Sequence, residues 1–243
     1  MIRPRWLLIA ACCLALVSQP LLAQEAGERT LRGAYIDFPP LSYTDDEGRA
    51  SGEFIEMSNE LMEDAGYAVE WQELPIGRIY RYLRDGEIDV WAGSSGVPYA
   101  ESFTVEPDFQ PMTIQLYAFH LPNTPAVDSV SDLLASQLIL IRGYTYLGVL
   151  DEAIEHASTR YDLAPNHVSG MRMLREGRGD YLLDFKSPAM TALEEVDVPG
   201  IQRSHITEWA ITHVFSHRTE NLDDIIADLE AAWQRWEQDA AAE

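Results

Sequence analysis

The spacing of apolar residues changes period repeatedly along this chain. Leu31 to Ile36 is an apolar run of strand length that stops at Phe38-Pro39-Pro40. Asp45-Asp46-Glu47-Gly48 then forms an acidic turn. Phe54, Ile55, Met57, Leu61, Met62 and Ala65 recur at helical spacing, and Gly66 closes that segment. Ala68 to Trp71 predicts a short strand, and Arg78 to Arg84 a helix ended by Asp85-Gly86. Ile88 to Ala92 predicts a buried strand running into "GSSGVPY". Strands alternating with helices across short loops predict a parallel sheet with helices on its faces.

The middle of the chain repeats this order. "QLILIRGYTY" predicts a strand ending in a glycine loop, and Leu147 to Ser158 a helix. Ser169 to Glu176 predicts a second helix, Asp180 to Asp184 a strand, and Pro188 to Glu195 a third helix. Two extended runs, "MTIQLYAFHLP" and "WAITHVFSH", separate the two α/β units from each other and from the last helix. Asn221 is positioned to cap that helix, and Asp223 and Asp224 suit its positive end. Leu222, Ile225, Ile226, Leu229, Trp233 and Trp236 make its apolar face. The expected organisation is one unit of residues 24–112 and 210–243 and another of 113–209, with crossovers near Pro111–Gln115 and Ile206–Ile211.

The start of the chain reads as an address. Arg3 and Arg5 precede an apolar stretch from Trp6 to Val17, and Leu21-Leu22-Ala23 offers a cleavage site, so residues 1–23 are expected to be a secretory signal peptide. The apolar run is short for a membrane span. Ile9-Ala10-Ala11-Cys12 is a competing lipidation signal, but few apolar residues precede it. Cys12 and Cys13 are the only cysteines, so cleavage after Ala23 leaves a chain without thiolate chemistry or disulfides.

Charge narrows the partners. The whole chain carries a formal net charge of −23, with 17 basic and 40 acidic residues. Such a surface repels nucleic acid and anionic lipid. Lys186 is the only lysine. Acidic excess with scarce lysine fits a salty habitat, and an arginine-rich codon usage explains the lysine count equally well.

"FPPLSY", the acidic turn with Gly48, "GEFIEM" opening a helix, "LRDGEIDVWAG", "RGYTY", "LREGRGDYLLD" and the closing amphipathic helix occur in that order. In this order and spacing the chain resembles the family 3 extracellular solute-binding proteins, periplasmic receptors of ABC importers for amino acids and related polar solutes. The resemblance implies a two-lobed periplasmic binding protein fold of type II. Each lobe would be a mainly parallel sheet flanked by helices, and two extended crossovers would join them. It also implies a monomer without cofactor, which hands a small polar solute to an ABC permease.

Ligands of open parallel sheets bind beyond the carboxyl ends of the strands. Phe38, held by the rigid prolines, and Tyr35 are therefore candidates for an apolar cleft wall. An aromatic at the place of Phe38 covers the ligand in the family. Ser94, Ser95 and Gly96 end a buried strand with hydroxyls and free backbone N–H groups. Arg142, Tyr144 and Thr145 lie in the loop that ends the first strand of the second unit. The resemblance implies a ligand carboxylate at Thr145 and a ligand amine at Asp184, while Asp180 reads as structural. One departure matters: Ala100 and Glu101 stand where the family's amino-acid receptors carry a carboxylate-clamping arginine. Arg78 is the candidate replacement. An α-amino acid ligand is therefore not assumed.

Two other functional classes stay open. Some proteins of this fold are enzymes, such as cyclohexadienyl dehydratases, and Glu101 or Asp184 could do acid–base work. A ligand-sensing module working with a membrane partner is the other. "AGSSG" is not a hydrolase nucleophile elbow. His213 and His217 would lie roughly 13 Å apart on a strand, too far to share a metal.

Overall fold

The computed structural model describes residues 29–241. The expected signal peptide, its cleavage site at Ala23, and Cys12 and Cys13 lie outside the described residues. Among the described residues, eleven strands and six α-helices follow one another as β1 (Arg29–Tyr35), β2 (Tyr43–Thr44), β3 (Ala50–Ser51), α1 (Glu53–Asp64), β4 (Tyr67–Glu73), α2 (Ile76–Asp85), β5 (Val90–Ser94), β6 (Thr104–Val105), β7 (Met112–His120), β8 (Gln137–Ile141), α3 (Asp151–Glu155), β9 (Arg160–Ala164), α4 (His167–Arg175), β10 (Tyr181–Phe185), α5 (Lys186–Glu195), β11 (Gln202–Ser216) and α6 (Leu222–Ala240).

The main sheet has the order β4-β1-β5-β11-β7-β10-β8-β9, with β6 also paired to β11. Two parallel blocks lie at its ends. In one, β1 pairs with β4 and β5; in the other, β8 pairs with β9 and β10. The middle is antiparallel. β11 pairs with β5 over Ile211–Phe215 and with β7 over Gln202–Ile211, with an irregularity between His205 and Thr207. β7 in turn pairs with β10. The two runs that read as extended in the sequence therefore lie in long strands paired to each other, β11 reaching the first block through β5 and β7 the second through β10. This is the two-lobed α/β fold expected from the alternation of periods.

The helices form where the apolar spacing places them, within a few residues. α1 buries Phe54, Ile55, Leu61 and Met62. α6 buries Ile225, Leu229 and Ala232 in one cluster with Leu61, Met62, Val90 and Phe215, so the last helix rests on the first block. Apolar burial of this kind supplies most of a helix's stability, since isolated helices of this length are marginal in water. Asp180 accepts from the Gln137 N–H at 2.8 Å and ties the start of β10 to β8.

Three local expectations need correction. The helix expected over 147–158 is confined to Asp151–Glu155. Tyr146, Leu147 and Gly148 all have positive φ (49°, 52° and 77°), which right-handed helix cannot accommodate. Tyr146 is anchored instead: its hydroxyl accepts from Ile141 N–H at 2.7 Å and donates to the Leu183 carbonyl at 3.1 Å. Second, Arg160–Ala164 forms β9 at the sheet edge, a strand the sequence did not suggest because Arg160, Tyr161 and Leu163 are exposed. Third, Asn221 precedes α6 in a left-handed conformation and its side chain makes no capping bond.

Candidate functional site

The link between the first strand and the first helix is a set of backbone bonds. The loop after β1 turns tightly: Phe38 N–H donates to the Ser42 carbonyl at 2.7 Å, and Ser42 N–H returns to Phe38 at 3.1 Å. The Pro39–Pro40 bond within it is cis. The first N–H groups of a helix lack partners inside it. Here Glu53 N–H donates to the Pro40 carbonyl at 3.1 Å and Phe54 N–H to the Leu41 carbonyl at 2.9 Å. The proline loop caps α1, and α1 in turn fixes the loop. Gly52 makes this approach possible. Its φ is 114°, and a Cβ there would lie 2.6 Å from the Leu41 and Pro40 carbonyl oxygens.

A cavity of about 280 Å³ opens beside this loop. Its walls come from the segments following β1 and β4 and the end of β5 in one block, and from the segments following β8 and β9 and the end of β10 in the other, with Ile114 and Ile211 of the central strands between them. It therefore sits at the carboxyl ends of both sets of parallel strands, where such sheets bind ligands.

Of the residues singled out in the sequence, Phe38, Ser94, Arg142, Tyr144 and Thr145 line this cavity. Phe38 stacks on Tyr144 from the opposite block, with centroids 5.9 Å apart and planes 18° from parallel, and meets Phe185 at 5.2 Å. Tyr144 also donates its hydroxyl to the Asp37 carbonyl at 3.1 Å, so aromatic and polar contacts both cross the cleft. Thr145 Oγ1 accepts from Leu147 N–H at 3.4 Å.

The other candidates lie behind or outside the lining. Tyr35 is buried in the core and bonds Thr44 Oγ1 at 2.8 Å. Arg78 sits on the exposed face of α2. Ser95 and Gly96 are held by an internal carboxylate: Ser95 Oγ donates to Glu106 at 2.6 Å, and Gly96 N–H donates to the same group at 3.0 Å. Glu106 thus occupies donors that could otherwise meet a ligand carboxylate. Asp184 is fully buried, and His167 Nδ1 lies against it at 2.9 Å.

Asp37, Glu73 and His167 join the lining without having been singled out. Burial raises the Asp37 carboxyl above its ordinary range, and the negative charge of Glu73 adds to this while His167 opposes it. Burial likewise raises the Tyr144 hydroxyl well above its usual value, with Asp184 and Asp37 adding to the effect. Asp37 was legible in principle, since it adjoins Phe38. His167 was hidden by the unrecognised strand β9, whose end delivers Pro165, Asn166 and His167 to the cleft; Asn166 then caps α4 through Ser169 N–H at 2.9 Å. No group of three or more His, Cys, Asp or Glu able to hold a metal occurs among the described residues. None of their helices is long and apolar enough to cross a membrane.

The sequence profile of the bacterial extracellular solute-binding proteins, family 3, matches residues 32–98, the segment that builds one wall of this cleft. Over that segment the chain is similar to that family. Similar solved structures carry the same architecture. A histidine kinase sensor domain with similarity to periplasmic binding proteins shares 19% identity over 88% of this chain and 92% of its own, with a TM-score of 0.72. An ancestral arginine-binding protein bound to arginine shares 17% over 87% and 93%, with a TM-score of 0.68. The substrate-binding protein of an amino acid ABC transporter shares 14% over 87% and 94%, with a TM-score of 0.66. No curated protein matches the chain. At these identities the family 3 likeness fixes the fold, and the ligand has to be argued from the cleft itself.

Proposed function

We propose that this protein is a periplasmic receptor that captures a small polar solute carrying a cationic group and presents it to an ABC import permease. The observation that carries the reading is the cavity's composition. Asp37 and Glu73 enter one wall, and the facing rings of Phe38, Tyr144 and Phe185 supply the apolar cover. Carboxylates with aromatic faces favour an ammonium or guanidinium group. Arg142 and Thr145 on the opposite wall are available for an acceptor at the other end of the solute. The occupation of Ser95 and Gly96 by Glu106 argues against a ligand carboxylate at that place.

The lobes in this reading are residues 24–112 with 210–243, and residues 113–209. Its support is the seating of α6 on α1, together with the two long central strands. The expected signal peptide and the family resemblance support a periplasmic location.

A second reading is favoured by the similarity to a histidine kinase sensor domain: the same cleft would report solute to a signalling partner. The test is isothermal titration with cationic amino acids and amines, neutral amino acids, and dicarboxylates, with product analysis of each mixture. Selective binding of cationic solutes without chemical change supports the receptor reading. Turnover would show an enzyme, and binding of dicarboxylates alone would refute the cationic preference.

A further inference from the structure

One chain of hydrogen bonds runs through the second wall of the cleft and ends on the first. Asp184 lies against His167 Nδ1 at 2.9 and 3.0 Å, His167 Nε2 lies 3.0 Å from the Tyr144 hydroxyl, and that hydroxyl lies 3.1 Å from the Asp37 carbonyl. Asp184 is 0% exposed and His167 6%. The Asp37 carbonyl can only accept. The bridge across the cleft therefore uses the single hydrogen of Tyr144. The contact between Tyr144 and His167 then needs a hydrogen on Nε2, and the contact between His167 and Asp184 needs one more. The Asp184–His167 pair must hold two hydrogens for every contact to be made.

With one hydrogen fewer, the arrangement changes. The buried carboxylate keeps the remaining hydrogen on Nδ1, since an unprotonated nitrogen facing a carboxylate would be repelled. Nε2 becomes an acceptor. Tyr144 can then satisfy Nε2 or the Asp37 carbonyl, but not both.

We propose that the Asp184–His167 pair, by holding or releasing one proton, decides whether Tyr144 donates across the cleft to Asp37 or back to His167, and so sets how firmly the lobes close. His167 is thus a positioning residue for Tyr144. The released proton goes to solvent, and no other reactant is involved. The device needs no ligand and stands apart from the nature of the solute.

The groups facing the pair are few. Tyr144 and Tyr146 come from the loop after β8, Asp37 from the loop after β1, and Glu73 lies beyond Asp37. Arg142 lines the same cavity, and Lys186, two residues from Asp184, is exposed. Burial holds the Asp184 carboxyl above its ordinary range, with the His167 and Phe185 bonds opposing. The arrangement with every contact made holds one proton more than the other, so closure weakens as pH rises.

The test places spin labels at exposed sites on the two lobes, Glu60→Cys and Arg172→Cys, in a chain with Cys12→Ser and Cys13→Ser. Distances are measured without solute from about pH 5 to about pH 9. The short-distance population should fall as pH rises. In Tyr144→Phe, which keeps the ring stack on Phe38, it should be low at every pH. In His167→Gln it should lose its pH dependence. Nitrogen chemical shifts of His167 in the unsubstituted protein supply a second readout, with Nε2 protonated at low pH and bare at high pH. A pH-independent distance distribution in the parent chain, an unaltered response in Tyr144→Phe, or a bare Nε2 throughout would overturn the proposal.

Discussion

Asp37 and Phe38 are neighbours in sequence, and the reading of the cleft depends most on them. Asp37 offers the solute a carboxylate in the cavity lining, and a hydrogen bond to a charged group is worth roughly 1.5–3 kcal/mol. Asp37→Asn should therefore weaken a cationic solute by about tenfold to a hundredfold, as read by calorimetry. His213 gives a different prediction. It is buried, its Nε2 bonds Ser58 Oγ at 2.8 Å, and burial lowers its pKa from the ordinary 6.5 to about 4. The unfolded chain takes a proton there below pH 6.5 while the folded chain refuses it until about pH 4. Stability should fall as pH drops through that window, by up to about 3 kcal/mol at one unit per 1.36 kcal/mol. Melting curves of His213→Gln should be flatter over the same window than those of the parent chain. At this scale the sequence was partly informative. Phe38, Tyr144 and Thr145 could be singled out because prolines and glycine mark their loops. Asp184 could be singled out too, but not its burial behind His167, which lies 17 residues earlier and meets it only through the sheet.

The elements follow the apolar spacing where burial is one-sided. α1, α2, α4, α5 and α6 were legible for that reason, as were β1, β5, β8 and β10. Where side chains face water or a turn is set by a distant contact, the spacing carries no signal. β9 exposes most of its residues, and the helix expected over 147–158 is shortened by the anchoring of Tyr146 to β8 and β10. The mutual support of the proline loop and α1 makes a prediction at this scale. Gly52→Ala forces a Cβ to within 2.6 Å of two carbonyl oxygens at a φ of 114°. It should cost about 1–3 kcal/mol in denaturant unfolding. It should also weaken solute binding by disordering the Phe38 loop, although residue 52 is outside the cavity lining.

The whole molecule combines a strongly acidic surface with two lobes that meet across a small cavity. Its net charge of −23 means that self-repulsion opposes the folded state, and salt screens that repulsion. The melting temperature should therefore rise with sodium chloride before any specific ligand is added. Solute binding should act on top of this by mass action, since a ligand at 100 times its Kd adds about 2.7 kcal/mol to the folded state. The decisive measurement is the melting temperature of the parent chain and of Asp37→Asn, at fixed salt, against cationic, neutral and dicarboxylate solutes. The account predicts a rise of several degrees with one or more cationic solutes in the parent chain, and loss of that rise in Asp37→Asn. Equal stabilisation of both proteins, or stabilisation by dicarboxylates alone, would contradict a cleft built for a cationic solute.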